Sequence, residues 1–235
     1  MSRFGITFNG KHSFNDFGLT VASKNIGNPS KIKRKERVPY SNQIYDFSNL
    51  YGGQEYEERP LAYVFNLRSY DKIDLSFMKI EVLNWLMNIN GKVILKDDYI
   101  PDYYFMAEVE DAPDFNEMKY GGTLTVNFTA YPFKIAELRE GNDIWDEFNF
   151  LLDYAQDTSF TVNGSLDVTL YNPSAAVLYP IINSSAPMQI IKDGITYNVQ
   201  TGKTTSYDFF LPLGESKLKL VGNGSIEFEM YKELI

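Results

Sequence analysis

The stretch Arg59-Pro-Leu-Ala-Tyr-Val-Phe-Asn-Leu-Arg68 indicates the fold class, because its apolar residues recur at every second position. Leu61, Tyr63, Phe65 and Leu67 would all lie on one face of a β-strand, where successive side chains point to opposite faces of the sheet. The stretch therefore predicts a long, half-buried strand.

The segment that follows this strand predicts the best helix of the chain. Asp74 or Ser76 can cap its N-terminus, and Asn90-Gly91 can end it. The apolar residues between these limits recur at helical spacing and are expected to face the core: Ile80, Leu83, Trp85, Leu86 and Ile89.

Further strand patterns surround this strand and helix. Phe4, Ile6 and Phe8 alternate before the turn residues Asn9-Gly10, and residues 123–130 alternate after Gly121-Gly122. Residues 92–96 and 103–109 predict a hairpin whose loop, residues 97–102, is acidic. The spacing of its carboxylates does not match a calcium-binding EF-hand loop, so a solvated turn is favoured.

Between residues 22 and 60 the periodicity fades, which predicts a long excursion from the core. Residues 31–37 are strongly basic, whereas residues 54–58 carry three glutamates. The simpler interpretation is a solvent-exposed hairpin arm, with or without a protein neighbour. It is favoured over DNA binding. The spacing of the aromatic residues in this excursion does not match the buried face of a strand or a helix. These residues are Tyr40, Tyr45, Phe47, Tyr51 and Tyr56.

The pattern changes between residues 134 and 157, where acidic residues surround a few apolar ones. We place a domain junction here, giving domains of residues 1–138 and 139–235. Beyond it, eight short strand patterns separated by turn residues predict an all-β sandwich. Two hairpins are expected, one at Asp193-Gly194 and one at Gly222-Asn-Gly-Ser225. In the last strand Ile226, Phe228 and Met230 would enter the core.

Composition excludes several kinds of chemistry. The 235 residues include no Cys and one His, so a zinc site of Cys/His type, a Cys nucleophile and an iron–sulfur cluster are excluded. His12 lies in a predicted turn, where we expect its ring to be hydrogen-bonded or solvated.

The net charge of −9 argues against a uniformly basic nucleic-acid-binding surface. The first ten residues carry no apolar signal segment and no apolar run is long enough to span a membrane, which predicts synthesis in the cytoplasm without membrane insertion.

The ordered series of motifs resembles the distal tail protein family of long-tailed, non-contractile bacteriophages. In the first half the series comprises Phe8-Asn9-Gly10, Phe14-Asn-Asp-Phe-Gly-Leu19, Val38-Pro39, Tyr51-Gly52, Trp85-Leu86, Asp97-Asp98 and Tyr131-Pro132-Phe133. In the second half it comprises Pro180-Ile181, Asp193-Gly194 and Gly222-Asn-Gly-Ser-Ile226.

The resemblance implies a mainly β protein with a tail-tube-like N-terminal domain of barrel or sandwich type, one helix and a long arm. A galectin-like sandwich would follow it. The resemblance also implies a structural virion protein that is not an enzyme and has no cofactor or metal. Such a protein would be made in the host cytoplasm and would lie at the tip of the phage tail. Its partners would be itself in a homo-hexameric ring, the tail tube protein, the tail-tip protein and a receptor-binding protein. DNA would pass through the ring without specific binding, helped by the negative charge.

We expect the arm to contact a neighbouring subunit, since its basic and acidic segments could pair between subunits. The residues expected in this interface are Lys33, Arg34, Lys35, Arg37, Tyr45, Phe47, Tyr51, Glu55, Tyr56, Glu57 and Glu58.

Two other classes of function remain open. One is a carbohydrate-binding adhesion module, because the second domain contains Tyr171, Tyr179, Tyr197 and Tyr207, which could stack on sugars if exposed. Packing in the core is the favoured interpretation of these tyrosines. The other is a glycoside hydrolase with two carboxylates about 5 to 10 Å apart, a separation that a sequence does not reveal.

Overall fold

The structure, a computed structural model, describes residues 4–50, 53–119, 121–142 and 148–235. Within these ranges the chain is mainly β, with one α-helix, α1 (Lys72–Met87). It divides into two compact units, Met1–Lys134 with Ile235, and Ile135–Leu234. The division into functional domains of residues 1–138 and 139–235 stays a prediction.

The strands of the first unit are β1 (Ile6–Phe8), β2 (Lys11–His12), β3 (Thr20–Ile26), β4 (Lys35–Arg37), β5 (Ile44–Asp46), β6 (Arg59–Arg68), β7 (Val93–Asp97), β8 (Tyr103–Glu108), β9 (Asp114–Met118) and β10 (Gly121–Ala130). At the unit boundary lies β11 (Lys134–Ala136). The strands of the second unit are β12 (Ser159–Asn172), β13 (Ile181–Ser184), β14 (Met188–Lys192), β15 (Ile195–Val199), β16 (Gly202–Thr204), β17 (Gly214–Glu229) and β18 (Glu233–Leu234).

The predicted strand 59–68 is confirmed as β6. It lies in an antiparallel sheet of order β2-β1-β7-β8-β10-β6-β3, with β9 added to β10. Every second residue of β6, from Leu61 to Leu67, is buried. Helix α1 packs on this core through Trp85, whose indole N–H donates a hydrogen bond of 2.7 Å to the carbonyl oxygen of Phe8.

The helix differs from its prediction at both ends and in its buried face. It ends at Met87, with Asn88 as C-cap, and not at Asn90-Gly91. It begins at Lys72, after Asp71 in extended conformation, so neither Asp74 nor Ser76 is the N-cap. The Ser76 hydroxyl instead donates to the Lys72 carbonyl oxygen within the helix. Ile80, predicted to face the core, is exposed, because Leu75, Val82, Trp85 and Leu86 supply the buried face.

The acidic loop after β7 is not simply a solvated turn. Asp97 is buried, and its carboxylate accepts hydrogen bonds from Lys24 Nζ at 2.7 Å, from the Tyr63 hydroxyl at 2.8 Å and from the Tyr99 backbone N–H at 2.9 Å. Burial, together with the neighbouring Asp97, raises the pKa of the Tyr63 hydroxyl far above its usual range. The prediction of a solvated turn agrees with the exposed Asp98 and Asp102 and is wrong for Asp97, because a carboxylate with three donors can be buried at acceptable cost.

The single histidine is hydrogen-bonded, as predicted, but it lies in the short strand β2 and not in the turn. His12 Nδ1 accepts hydrogen bonds from the backbone N–H groups of Phe14 and Asn15. Its Nε2 therefore carries the proton and donates to Asp98 at 3.0 Å.

The second unit is built around the 16-residue strand β17. β12 pairs with β17 from Ser159↔Glu227 to Asn172↔Gly214. On its other edge β17 pairs with β14 near Leu220 and with β13 near Phe228. Buried residues of these strands form one hydrophobic core.

The predicted hairpin at residues 222–225 is wrong, because the chain continues through this segment as β17. Gly222 and Gly224 have positive φ angles of 147° and 148°, and added Cβ atoms would lie 2.9 Å from Met188 Cγ and 2.6 Å from Ser185 Oγ, respectively. The glycines thus allow a close approach within a strand rather than a reversal. The other predicted hairpin is confirmed, since Asp193 and Gly194 have the two positive φ angles of a type I′ turn between β14 and β15.

Candidate assembly surface

The predicted excursion is a long arm, residues 27–58, between β3 and β6. The two sides of the arm meet at its base, where the Gly27 N–H donates to the Pro60 carbonyl oxygen at 2.9 Å. Farther out, the Glu57 N–H donates to Ser30 and the Ile32 N–H donates to Glu55. Backbone hydrogen bonds therefore hold the two sides of the arm together.

The outer part of the arm is the antiparallel hairpin of β4 and β5. Lys35, Glu36 and Arg37 pair with Asp46, Tyr45 and Ile44, respectively. In the connecting loop Tyr40 has a positive φ of 59°. We call residues 34–50 the arm hairpin, because the Phe47 N–H also donates to the Arg34 carbonyl oxygen.

Some of the charges that suggested pairing between subunits pair within one chain. Lys33 contacts Asp46 at 3.2 Å, and Arg34 contacts Glu55 at 2.9 Å. Glu58 contacts Lys92 at 2.6 Å, and its hydrogen bond contributes most to raising the Lys92 pKa. These ion pairs within one chain weaken the charge argument for an interface between subunits. The interface itself stays a prediction.

A local hydrogen-bond cluster stabilises the ionised form of Asp46. The Ser48 hydroxyl and backbone N–H both donate to its carboxylate. Together with Lys33, they lower the Asp46 pKa from about 3.8 to about 2. The hydrogen bonds that Ser48 donates to Asp46 are therefore strongest when Asp46 is ionised.

The predicted aromatic residues of the arm divide into two groups. Tyr45 and Phe47 are exposed, with ring centroids 6.1 Å apart. Tyr56 is half-buried and packs edge-on against Phe133 at 5.3 Å. Tyr51 lies outside the described residues. Tyr40, which belongs to the same set of arm aromatics, is also exposed. Two exposed apolar residues that the interface prediction did not include join this group: Ile44 and Leu50.

Lys35, Arg37 and Glu57, also predicted for the interface, are exposed. Among the residues that the structure describes, Lys35 and Arg37 form no ion pair. The outer arm therefore combines unpaired positive charge with exposed apolar side chains. This arrangement suits contact with another protein surface better than catalysis.

Helix α1 carries a second apolar surface that the sequence-based prediction missed. Ile73, Phe77, Ile80 and Met87 are 64%, 62%, 55% and 41% exposed, on the side away from the core. We call these four residues, with Asn84, the α1 stripe. The signal was present in the sequence, but helical spacing alone does not show which of two apolar faces is buried.

The four tyrosines considered for sugar stacking have different environments in the second unit. Tyr171 stacks on Tyr154 at 4.2 Å, and Tyr197 packs edge-on against Phe209 in the core. Tyr179 and Tyr207 are 46% and 83% exposed and form an edge-to-face pair at 5.4 Å. Phe210, also exposed, lies 6.3 Å from Tyr179.

The described residues contain no candidate metal site and no candidate membrane-spanning helix. No group of three or more His, Asp or Glu side chains in these ranges is placed to hold a metal ion. No described helix is long and apolar enough to cross a membrane.

The fold is similar to that of a phage hub protein. The SPP1 phage Dit protein, a paradigm of the hub adsorption apparatus in phages infecting Gram-positive bacteria, superposes with a TM-score of 0.67 over 100% of both chains at 15% identity. Chains of the phage p2 baseplate in its activated conformation, with strontium or calcium, give TM-scores of 0.44 and 0.45 at 7% and 9% identity. These cover 98% and 99% of this chain, and 97% and 98% of theirs. No family model and no curated protein matches the chain. The chain thus has the fold of the SPP1 Dit protein along its whole length.

Proposed function

We propose that this protein is the distal tail protein of a long-tailed, non-contractile bacteriophage. The observation that carries the proposal is the full-length similarity to the SPP1 hub protein, which includes both units of the chain. A structural role also agrees with the features of the arm, which presents hydrophobic and charged contact surface.

In this role the protein forms a homo-hexameric ring at the tip of the virion tail. The ring connects the tail tube protein to the tail-tip protein and, through the second unit, to a receptor-binding protein. A ring built by head-to-tail contacts needs two different surfaces on each subunit. The arm, residues 27–58, supplies one of them through Tyr45, Phe47 and their exposed neighbours.

Substitution of the exposed arm aromatics tests this role. Truncated anchor residues at protein interfaces commonly cost about 1 to 2 kcal/mol each. The double variant Tyr45→Ser/Phe47→Ser should therefore weaken subunit association by roughly 30-fold or more, measured by light scattering across a dilution series. Tyr207→Ser, which removes an even more exposed ring from the second unit, is the control and should retain the full oligomer mass. An unchanged oligomer in the double variant would rule out the arm contact.

The ring allows DNA to pass, and its negative charge keeps the DNA from adhering. Phosphate contacts with Lys and Arg dominate affinity for DNA, and this chain has 31 acidic against 22 basic residues. Assembled rings should show no measurable retention of duplex DNA at physiological salt in a gel-shift assay. Tight binding would contradict this part of the proposal.

A second candidate function is carbohydrate binding by the second unit. The observation that favours it is the exposed cluster of Tyr179, Tyr207 and Phe210, because exposed aromatic rings can stack on apolar faces of sugars. The full-length protein should then bind a cell-surface glycan on an array, and Tyr207→Ala should abolish this signal. Absence of any signal from assembled, multivalent protein would remove the candidate.

A further inference from the structure

Strand β12 forms an edge of the sheet in the second unit. It pairs with β17 on one side and with no other strand in the described ranges. At Tyr171 the other side is occupied by a side chain. The Tyr171 backbone N–H donates to Gln156 Oε1 at 2.9 Å, and the Tyr171 carbonyl oxygen accepts from Gln156 Nε2 at 2.8 Å. The Gln156 amide therefore pairs with β12 as a peptide group of a neighbouring strand would.

Ser165, Asp167 and Thr169 continue this side of β12. In an antiparallel pair the backbone groups of successive residues point alternately toward and away from the partner strand. Because the register with β17 is unbroken here, the backbone groups of these three residues point away from β17, as those of Tyr171 do. In the part of the chain that the structure describes, no group pairs with them. They present three N–H and three carbonyl groups along about 13 Å of strand.

This edge lacks the features that usually protect an edge strand. Natural edges commonly carry lysine or proline, whereas residues 165–171 contain neither and are rich in strand-forming residues. On the core-facing side of the strand Leu166 is 36% exposed and Val168 is half-buried. The hydrophobic core is thus incompletely covered at this edge, and an added strand could cover it with its own apolar side chains.

The groove beside this edge is negatively charged. It has a volume of about 480 Å³, and its charged lining residues are Asp157, Asp167 and Glu215. All three are exposed, and none forms an ion pair within the described ranges. Asp167 lies on the opposite face of β12 from Leu166 and Val168, because successive side chains of a strand alternate. A segment that fits this edge therefore carries basic side chains on one face and apolar side chains on the other.

We propose that this edge of β12 binds an extended segment of a different protein, with alternating basic and apolar residues, as an added strand of the sheet. A second copy of this chain would bring its own Asp167 and Glu215 to the edge, so like charges disfavour pairing between two copies. The inference goes beyond the proposed ring, because a single subunit carries the whole edge.

A peptide of alternating lysine and valine, about nine residues long, is a probe that spans this edge. It should bind the full-length protein in a fluorescence anisotropy titration. The same peptide with glutamate in place of lysine should bind at least about 10-fold more weakly, because the groove is acidic. Absence of binding by the lysine peptide would overturn the inference.

Methylation of the peptide backbone separates strand addition from charge attraction alone. Only every second N–H group of an added strand faces β12. N-methylation of one alternate set of residues, all lysines or all valines, should therefore abolish binding, while N-methylation of the other set should preserve it. Equal binding of the two methylated peptides would show that no backbone pairing occurs and would overturn the inference.

Proline substitution tests the edge from the side of the protein. The Thr169 N–H takes no part in pairing with β17, so Thr169→Pro should leave the sheet paired while it weakens binding of the lysine peptide by about 10-fold or more. Thr196→Pro is the matched control on β15, at the opposite edge of the sheet. Its N–H also points outward, because the turn between β14 and β15 closes at the neighbouring pair Lys192↔Ile195. Equal weakening by the two prolines would contradict the proposed site.

A charge variant keeps the test decisive if Thr169→Pro does not fold. Asp167→Lys/Glu215→Lys changes two exposed residues and should reverse the preference, so that the glutamate peptide binds more tightly than the lysine peptide. An unchanged preference would overturn the inference.

The outcomes separate this inference from the proposed ring. Rings that bind no lysine peptide would remove the inference and leave the ring, whereas monomers that bind it through Thr169 would remove the ring and leave the inference. Dimers of the wild-type protein that Thr169→Pro dissociates would show that a second copy occupies the edge, which also overturns the inference.

Discussion

Replacing Asp97 by alanine should destabilise the first unit by about 3 to 4 kcal/mol. The substitution leaves the fully buried Tyr63 hydroxyl without its acceptor at 2.8 Å, which costs about 1 to 3 kcal/mol. It also removes the carboxylate paired with Lys24, whose side chain is only 26% exposed. The total falls at the lower end of the 3 to 5 kcal/mol commonly found when one partner of a buried ion pair is removed.

Urea unfolding followed by tryptophan fluorescence measures this loss. Trp85 reports on the first unit because its indole is buried beside Phe8 and Phe17. A Trp145→Phe background removes the only other tryptophan of the chain. Asp97→Ala should lower the free energy of unfolding without changing the slope of its dependence on urea.

A second substitution separates the hydroxyl from the ion pair. Tyr63→Phe added to Asp97→Ala removes the unsatisfied donor, so it should recover about 1 to 2 kcal/mol. Tyr63→Phe alone should cost less than Asp97→Ala, since Lys24 and the Tyr99 N–H continue to satisfy the carboxylate. A loss below about 1 kcal/mol for Asp97→Ala, or no recovery in the double variant, would show that the Tyr63 hydroxyl does not depend on this carboxylate.

Three further predictions concern other parts of the chain. Gly224→Ala should destabilise the second unit by about 2 to 4 kcal/mol in thermal unfolding, because its φ of 148° and the Ser185 hydroxyl leave no room for a Cβ; Gly194→Ala, with open space around it, should cost less. The Asp46 carboxyl should titrate in NMR near pH 2 and shift toward 3.8 in Ser48→Ala. Because its pKa is lowered on folding, Asp46 should support the hairpin above pH 3.8 and lose this contribution as the pH falls through 2; an unshifted titration would contradict this. Arg59→Met should lower the free energy of unfolding by about 1 to 3 kcal/mol, since it leaves the buried Pro132 carbonyl oxygen without its 2.9 Å hydrogen bond from the Arg59 Nε–H; no loss in urea would contradict this.

The sequence predicted the elements whose conformation depends on local pattern. The alternation in β6 and the paired turn residues Asp193-Gly194 act within a few residues of chain, so they could be identified directly. The segment around Gly222 and Gly224 could not, because glycine and asparagine suit both a hairpin and a strand packed closely against its neighbours. Continuous pairing with the long strand β12 holds this segment as a strand, and a short stretch of sequence does not reveal that pairing.

The contact surfaces were predicted in part. The arm and its exposed aromatics Tyr45 and Phe47 followed from the lack of periodicity. The partner of Arg34 did not follow, because pairing with Glu55 depends on how two distant segments meet in the arm. The outer face of α1 was missed for a related reason: helical spacing identifies apolar residues but not the side that the sheet covers.

The most direct test of the assembly account is the native mass of the full-length protein together with negative-stain images. We expect a ring of about six subunits with a central opening, consistent with the head-to-tail contacts proposed for the arm. A monodisperse monomer across the accessible concentration range would contradict it.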